Sequence, residues 1–397
     1  MEKEKEISTP ESGDGLHFKA TESRRMMKNV LAISFAFLCL FTAFQSMSAL
    51  QSSINSVDGL GPISLASLYA GLVVSCMFLP TFLIKRLTVK YTMMFSMLCY
   101  SVYIAAQFYP EFATLVPAGV ILGLGAAPMW SAKCTYLTQV GKVYADFTGR
   151  DEEATVVRFF GIFFLLFQSS AVIGNLISSS VLQSDKNSIL PNSTFEKCGI
   201  MFCPGEDAAE AAVNKPSKEK IYTLATVYLI CALAAPVVIF FFVDPLSRYG
   251  EKQKKSKKDS VTDEEPISGM KLLVATFSHM ANPLQMLIIP LTFWSGIEQA
   301  YFGSEFTRAF IACSWGTENI GYVLMCFGVV DAVSSYAFGY VIKLTGRIPL
   351  FIAAATMNIV MLIVFFEWMP TPDEKWVLFV SAGVWGMSDA VWQTQIN

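Results

Sequence analysis

The chain has 397 residues, of which 53% are hydrophobic and only 15% are charged. An average soluble domain carries about 25% charged residues, so this composition excludes a soluble globular protein and indicates helices that face lipid. The net charge of −3 is too small to indicate a nucleic-acid partner, and none is predicted.

Residues 1–28 form a polar, charged tail without a signal peptide. Apolar stretches follow, each long enough for a helix across about 30 Å of hydrocarbon. Their lengths and the lack of period-two alternation exclude a membrane barrel. The sequence therefore predicts an all-α polytopic membrane protein with ten spans, at about 29–50, 64–84, 91–109, 115–137, 156–182, 221–243, 283–301, 319–342, 349–366 and 376–397.

Basic residues indicate how these spans are oriented. With the N-terminus in the cytosol, 22 of the 29 Lys and Arg residues fall on the inner side. Five of the remaining seven lie in one long outer loop between spans five and six, which is long enough to cross the membrane regardless of charge. The positive-inside rule therefore predicts a cytosolic N-terminus.

The long outer loop carries two features of the secretory pathway. Asn192 opens an Asn-Ser-Thr sequon and is a predicted glycosylation site. Cys198 and Cys203 lie in the same loop and Cys313 in the next outer loop, where the compartment is oxidising. A Cys198–Cys203 disulfide is one prediction, and a bond from either cysteine to Cys313, joining the two halves of the chain, is the alternative.

Residues 244–282 form the longest predicted cytosolic connection, a basic block followed by an acidic one. This linker divides the chain into a six-span bundle at 29–243 and four spans at 283–397.

Short segments of the first half recur in order in the second. Residues 41–46, 83–88 and 118–120 can be laid over 294–299, 341–346 and 382–384. Two parallel six-span halves with a long cytosolic linker resemble the major facilitator fold. If the repeat holds, two more spans are expected beyond Asn397, and the chain is expected to be a fragment with a truncated second bundle.

The major facilitator fold usually carries a cytosolic loop of pattern G-x-x-x-D-R-x-G-R after spans two and eight. Both copies here have a lysine where the acid belongs, at Lys85 and Lys343. The loop residues that still match the pattern are Arg86 in the first copy and Gly339, Gly346 and Arg347 in the second. The missing acid removes an anion that would pair across a cytosolic gate, so ordinary alternating access is in doubt.

The segments 123–136 and 310–322 and the run WGxxDAVWQTQ at 385–395 resemble the uncoordinated-ninety-three family, over about residue 29 to the end. The resemblance implies an accessory regulator of a two-pore potassium channel or a trafficking chaperone of nucleic-acid-sensing Toll-like receptors. The chain looks closer to the channel-regulator branch. A membrane protein such as a potassium channel subunit is therefore the expected partner, within the lipid bilayer.

Ionisable residues inside predicted spans are the candidate functional residues: Lys133, Glu298, Asp331 and Asp389. One interpretation is that they face a central cavity and bind an ion, a proton or a polar solute. The other is that they pair with one another or stabilise helix contacts. Glu298 is the first choice for a binding role.

No Walker-type loop, dinucleotide fingerprint or HExxH motif is present, so we predict that the chain is not an enzyme and needs no cofactor or metal. Two functions remain open: an accessory regulator of a potassium channel or of ion homeostasis, and a secondary transporter of a small solute or cation. A receptor-trafficking chaperone is a further alternative. The predicted location is the plasma membrane, with an endomembrane as the alternative.

Overall fold

A computed structural model of the chain describes residues 21–183, 197–203, 216–250, 278, 281–371 and 373–396. Every regular element within these ranges is helical, and none of them is a strand. The predicted all-α fold is therefore confirmed.

The first half of the chain contains five helices, and the second half contains four. The helices of the first half are α1 (Glu22–Ile54), α2 (Leu60–Ala105), α3 (Phe112–Thr148), α4 (Glu152–Leu182) and α5 (Lys218–Phe242). Those of the second half are α6 (Pro283–Ala300), which continues as a π-helix (Tyr301–Ala312) and a last turn (Cys313–Trp315), α7 (Ile320–Thr345), α8 (Arg347–Glu367) and α9 (Lys375–Ile396).

Helix α2 contains two of the predicted spans. It is interrupted at Thr88, where φ is 69° and ψ is 162°, between the predicted spans 64–84 and 91–109. Both segments pack on the middle of α3, because Gly123 lies against the backbone at Leu68 and Gly125 lies against Cys99. The two segments therefore lie side by side, and a β-carbon on Gly123 would collide with the neighbouring helix.

All ten predicted spans fall within helices of the described residues. Among those residues, six helices are long and apolar enough to cross a membrane by length and composition. One of these six, Val57–Phe108, includes both segments of α2. The number of membrane crossings itself stays a prediction.

Side-chain caps explain where several helices begin. Asp151 accepts a hydrogen bond from the Ala154 backbone N–H at the start of α4, over 2.7 Å. Asn282 does the same for Leu284 at the start of α6, where Pro283 occupies the first turn. Such caps satisfy backbone donors that have no partner within the helix.

A polar network holds the first half together at one end, which we call the tail end. The Arg25 guanidinium donates two hydrogen bonds of 2.8 Å to the Asp244 carboxylate, just after α5. Asn29 adds a bond of 3.0 Å to the same carboxylate, and the Tyr136 hydroxyl donates to the Asp244 carbonyl oxygen over 2.8 Å. Helices α1, α3 and α5 are thus fixed to the residue that begins the linker.

The two halves meet towards the opposite end, which we call the disulfide end. Here Cys198 is bonded to Cys313, with their Cα atoms 5.6 Å apart. Helix α7 packs closely on α4, where Gly321 lies against Asn175. These contacts place α4 and α7 on either side of the boundary between the halves.

Candidate functional site

A cavity of about 240 Å³ lies at the boundary between the two halves. Helices α1 and α4 contribute one wall, and α6, α7 and α9 contribute the other. Its side chains include two carboxylates, Asp331 and Asp389. The other polar lining residues are all amides: Gln45, Gln168, Asn175, Gln299 and Gln393.

Asp331 links the two halves across the cavity. It is buried in α7, and its carboxylate accepts a hydrogen bond of 3.1 Å from the Gln168 amide of α4. Ser335, one turn further along α7, lies 3.5 Å from the other carboxylate oxygen. Asp331 therefore contacts both halves of the molecule.

Asp389 is held by amides of the second half. The Gln393 amide, one turn further along α9, donates a bond of 2.7 Å to one carboxylate oxygen. The Gln299 amide of α6 donates a bond of 3.1 Å to the other oxygen. Amide donors stabilise a carboxylate in a low-dielectric environment without adding a compensating charge.

Glu298 lies beside this cavity, on α6, and is 1% exposed. Neither of its carboxylate oxygens accepts a hydrogen bond. Asp389 and Asn358 are its polar neighbours, but neither stands in hydrogen-bond geometry. A buried carboxyl without partners is costly, so Glu298 is the least satisfied polar group of this region.

Lys133 lies apart from the three acids. It is buried on α3, and its ammonium group faces the rings of Phe163 at 4.3 Å and Trp130 at 4.7 Å. The rings of Phe164 and Phe160 lie at 5.1 Å and 5.2 Å. Aromatic faces stabilise a cation where water is scarce, so Lys133 is held by rings rather than by the snorkelling or ion pairing that its sequence position indicates.

The structure thus brings together Glu298, Asp331 and Asp389 and separates Lys133 from them. No ion pair among the described residues involves these acids. The described residues also contain no group of three or more His, Cys, Asp and Glu side chains arranged for a metal ion. The arrangement fits a proton or a weakly held cation better than a tightly coordinated metal.

Sequence reasoning missed the amides that hold the acids. Gln168, Gln393 and Asn358 are polar residues inside apolar spans, and that position was the available signal, because such amides hydrogen-bond between membrane helices. Asn358 of α8 accepts bonds from Ser388 at 2.7 Å and from the Trp392 indole at 2.9 Å. It therefore fixes α9 next to Glu298.

The residues of the predicted cytosolic loops lie away from the cavity. Lys85 and Arg86 are exposed near the end of the first segment of α2. Gly346 separates α7 from α8 with φ of 80°, a left-handed conformation that suits glycine, and Arg347 begins α8 in an exposed position. Gly339 lies within α7.

The disulfide corrects one prediction. Cys198 pairs with Cys313 and not with Cys203, so the alternative that joins the two halves is the observed one. The reason is tertiary: Gly199, next to Cys198, packs against Phe310 and Pro370 of the second half, which buries Cys198 beside Cys313, whereas Cys203 is exposed. Asn192 lies outside the described residues.

Comparison with known proteins gives consistent results. Residues 51–397 match the family described as "Ion channel regulatory protein UNC-93". "Protein unc-93 homolog A" of Xenopus laevis is 42% identical over 94% of this chain and 80% of that protein. "Putative potassium channel regulatory protein unc-93" of Caenorhabditis elegans is 34% identical over 94% of this chain and 52% of that protein.

Among solved structures, the nucleoside transporter NupG aligns with 93% of this chain and 80% of its own, with a TM-score of 0.59 and 14% identity. At that identity the likeness concerns the fold alone. The chain has the major facilitator fold.

Proposed function

The chain belongs to the UNC-93 family, and from this premise we propose that it is an accessory regulator of a potassium channel. The observation that carries the proposal is the match of residues 51–397 to a family of ion channel regulatory proteins. The nematode relative, at 34% identity, bears the name of a potassium channel regulator. Multi-pass membrane character is common ground for every function considered for this chain.

Within this proposal, the central cavity binds a proton or a small cation, and its occupancy sets the conformation that a partner channel contacts. Support comes from Asp331 and Asp389, which line the cavity with amide donors, and from Glu298, whose oxygens lack partners beside it. The volume of about 240 Å³ is below the roughly 300–1,000 Å³ of pockets for drug-sized ligands. A cavity of this size suits an ion with a few waters better than a nucleoside or a sugar.

The test compares assembly with ion sensing in a complete chain co-expressed with potassium channel subunits. We expect Glu298→Gln to leave co-purification with the channel intact, because the residue is buried and remote from the surface. We expect the same variant to remove any effect of pH on the channel current that depends on this protein. Glu305→Gln, at an exposed glutamate on the same helical segment, is the matched control and keeps the effect.

A secondary transporter of a small solute or cation is the second candidate, favoured by carboxylates in a cavity between two halves of a major facilitator fold. Liposomes that contain only the purified complete protein separate the candidates. Uptake of potassium or another small solute into such liposomes, abolished by Glu298→Gln and retained by Glu305→Gln, would overturn the regulator proposal. No uptake, together with a protein-dependent change in channel current, would support it.

The plasma membrane is the proposed location, since a channel regulator acts where its channel conducts, and an endomembrane is the alternative. Surface biotinylation of the complete protein in cells separates the two.

A further inference from the structure

A second cavity, outside the boundary between the halves, is a groove of about 590 Å³ on the outer surface of the first half, between α1 and α5. We propose that this groove binds one anionic phospholipid from the leaflet at the tail end. Its acyl chain lies along the groove and its phosphate contacts Arg24 and Lys28. This proposal is independent of the cavity acids and of the channel partner.

The groove has an apolar body formed by two helices. Leu31 and Phe35 come from α1, and Val238 and Phe242 come from α5. Leu31, Phe35 and Phe242 are about half exposed although they lie next to the packed α1–α5 contact. Ala32 lies between them on the α1 side, and its small side chain leaves room for a hydrocarbon chain.

Two basic residues close the tail end of the groove. Arg24 and Lys28 line it and are one helical turn apart, and the spacing of 24, 28, 31 and 35 places them in line with Leu31 and Phe35 on one face of α1. They precede the predicted start of span one at residue 29. The basic end therefore sits where lipid phosphates lie.

Both basic side chains are available to a ligand. Arg24 forms no ion pair with any acid among the described residues. The Lys28 ammonium is 3.9 Å from the Asp244 carboxylate, but Arg25 already occupies both oxygens of that carboxylate. Two cations beside an apolar groove complement an anionic headgroup joined to a hydrocarbon chain.

The length of the groove fits a single lipid. From residue 24 to residue 35 a helix rises about 16 Å at 1.5 Å per residue. This is about half of the roughly 30 Å of a bilayer's hydrocarbon core, so the groove extends through one leaflet. A protein segment or a second copy of the chain would have no reason to match this dimension.

Native mass spectrometry of the complete chain, released from mixed micelles of dioleoyl phosphatidylserine and dioleoyl phosphatidylcholine, tests the proposal. We expect retained phosphatidylserine on the wild-type protein and about 30-fold weaker retention in the double variant Arg24→Gln, Lys28→Gln, since each basic residue near the membrane surface contributes about 1 kcal/mol to binding of anionic lipid. The control Arg150→Gln, Arg158→Gln removes two exposed charges at the tail end without touching the groove, and should retain the lipid.

A further variant separates lipid binding in the groove from adsorption to charge. Ala32→Trp fills the apolar body and keeps both cations, so we expect it to lose phosphatidylserine as well. Retention by Ala32→Trp, or equal competition by the water-soluble headgroup glycerophosphoserine, would overturn the proposal by showing that the charges alone bind. Equal loss in the Arg150 and Arg158 control would also overturn it, and wild-type melting temperatures in detergent exclude misfolding as the cause.

Discussion

The side-chain amide of Gln168, on α4, donates a hydrogen bond of 3.1 Å to the carboxylate of Asp331, on α7. This bond connects the two halves of the molecule within the cavity. We expect Gln168→Leu to lower the stability of the detergent-solubilised protein by about 1 kcal/mol, the usual size of hydrogen bonds between membrane helices. The effect should vanish when Asp331 is already Leu, because the acceptor is then absent.

Thermal unfolding of the two single variants and the double variant measures this coupling. Gln299→Leu is the matched control, because its amide binds Asp389 instead. An equal cost of Gln168→Leu with and without Asp331 would show that the bond contributes nothing across the boundary.

A second prediction concerns pH and the tail-end network. The hydrogen bonds from Arg25 hold the pKa of Asp244 well below its ordinary value of 3.8. The ionised carboxylate therefore stabilises the folded state fully above about pH 4, and this contribution is lost as the pH falls towards the lower folded-state pKa. At pH 7, Asp244→Asn should cost about 2 kcal/mol.

Denaturant unfolding of wild type and Asp244→Asn between pH 7 and pH 3 measures the effect. The difference between the two proteins should shrink below pH 4. Asp146→Asn, at an exposed position of α3, serves as the control and should differ little from wild type at any pH. A difference for Asp244→Asn that stays constant with pH would contradict the assigned role.

The third prediction concerns the disulfide. Peptide mapping without reduction should recover Cys198 linked to Cys313. Replacing either residue with Ser should abolish the link and lower stability by about 2–4 kcal/mol, measured by thermal unfolding. Cys203→Ser should keep the link, and a recovered Cys198–Cys203 peptide from the wild-type protein would refute the pairing.

A fourth prediction concerns the ring faces around Lys133. Phe163→Leu should cost more when Lys133 is present than when it is Met, by about 1–2 kcal/mol, because the lost ring no longer stabilises a buried cation. Phe159→Leu is the matched control: this ring is also buried on α4 but contacts Tyr144 instead of the ammonium. Equal costs of Phe163→Leu in both backgrounds, from thermal unfolding, would show that the rings only fill space.

The fifth prediction concerns orientation. An epitope tag inserted within residues 251–277 should be inaccessible to antibody in intact cells and accessible after permeabilisation, because the predicted linker is cytosolic. Asn192→Gln should remove a glycan-dependent shift in electrophoretic mobility. A tag reached from outside intact cells would invert the predicted topology.

The sequence predicted the helices well because hydrocarbon imposes a strong constraint on composition. Each apolar run of about 20 residues became a helix, since backbone groups in lipid need internal partners. The same constraint made Glu298, Asp331 and Asp389 visible as candidates, because charges within spans are rare. Their assembly around one cavity required the second half to fold, and the repeat alone indicated it.

Other features depend on contacts that one sequence does not encode locally. Lys133 has the same span position as a cavity residue, but the faces of α4 that meet it carry Phe160, Phe163 and Phe164, and only their packing decides the partner. The pairing of Cys198 depends on how the outer loop docks onto the second half. Gln168 escaped attention because a neutral amide is far less costly in a span than a charge.

The bond between Cys198 and Cys313 also places a condition on the synthesis of the molecule. The two cysteines are 115 residues apart, so with the predicted orientation Cys198 enters the oxidising lumen while the ribosome has yet to make its partner. Its thiol must wait until α6 has been inserted into the membrane. Closure of this bond therefore marks the moment at which the later half has arrived and met the earlier one.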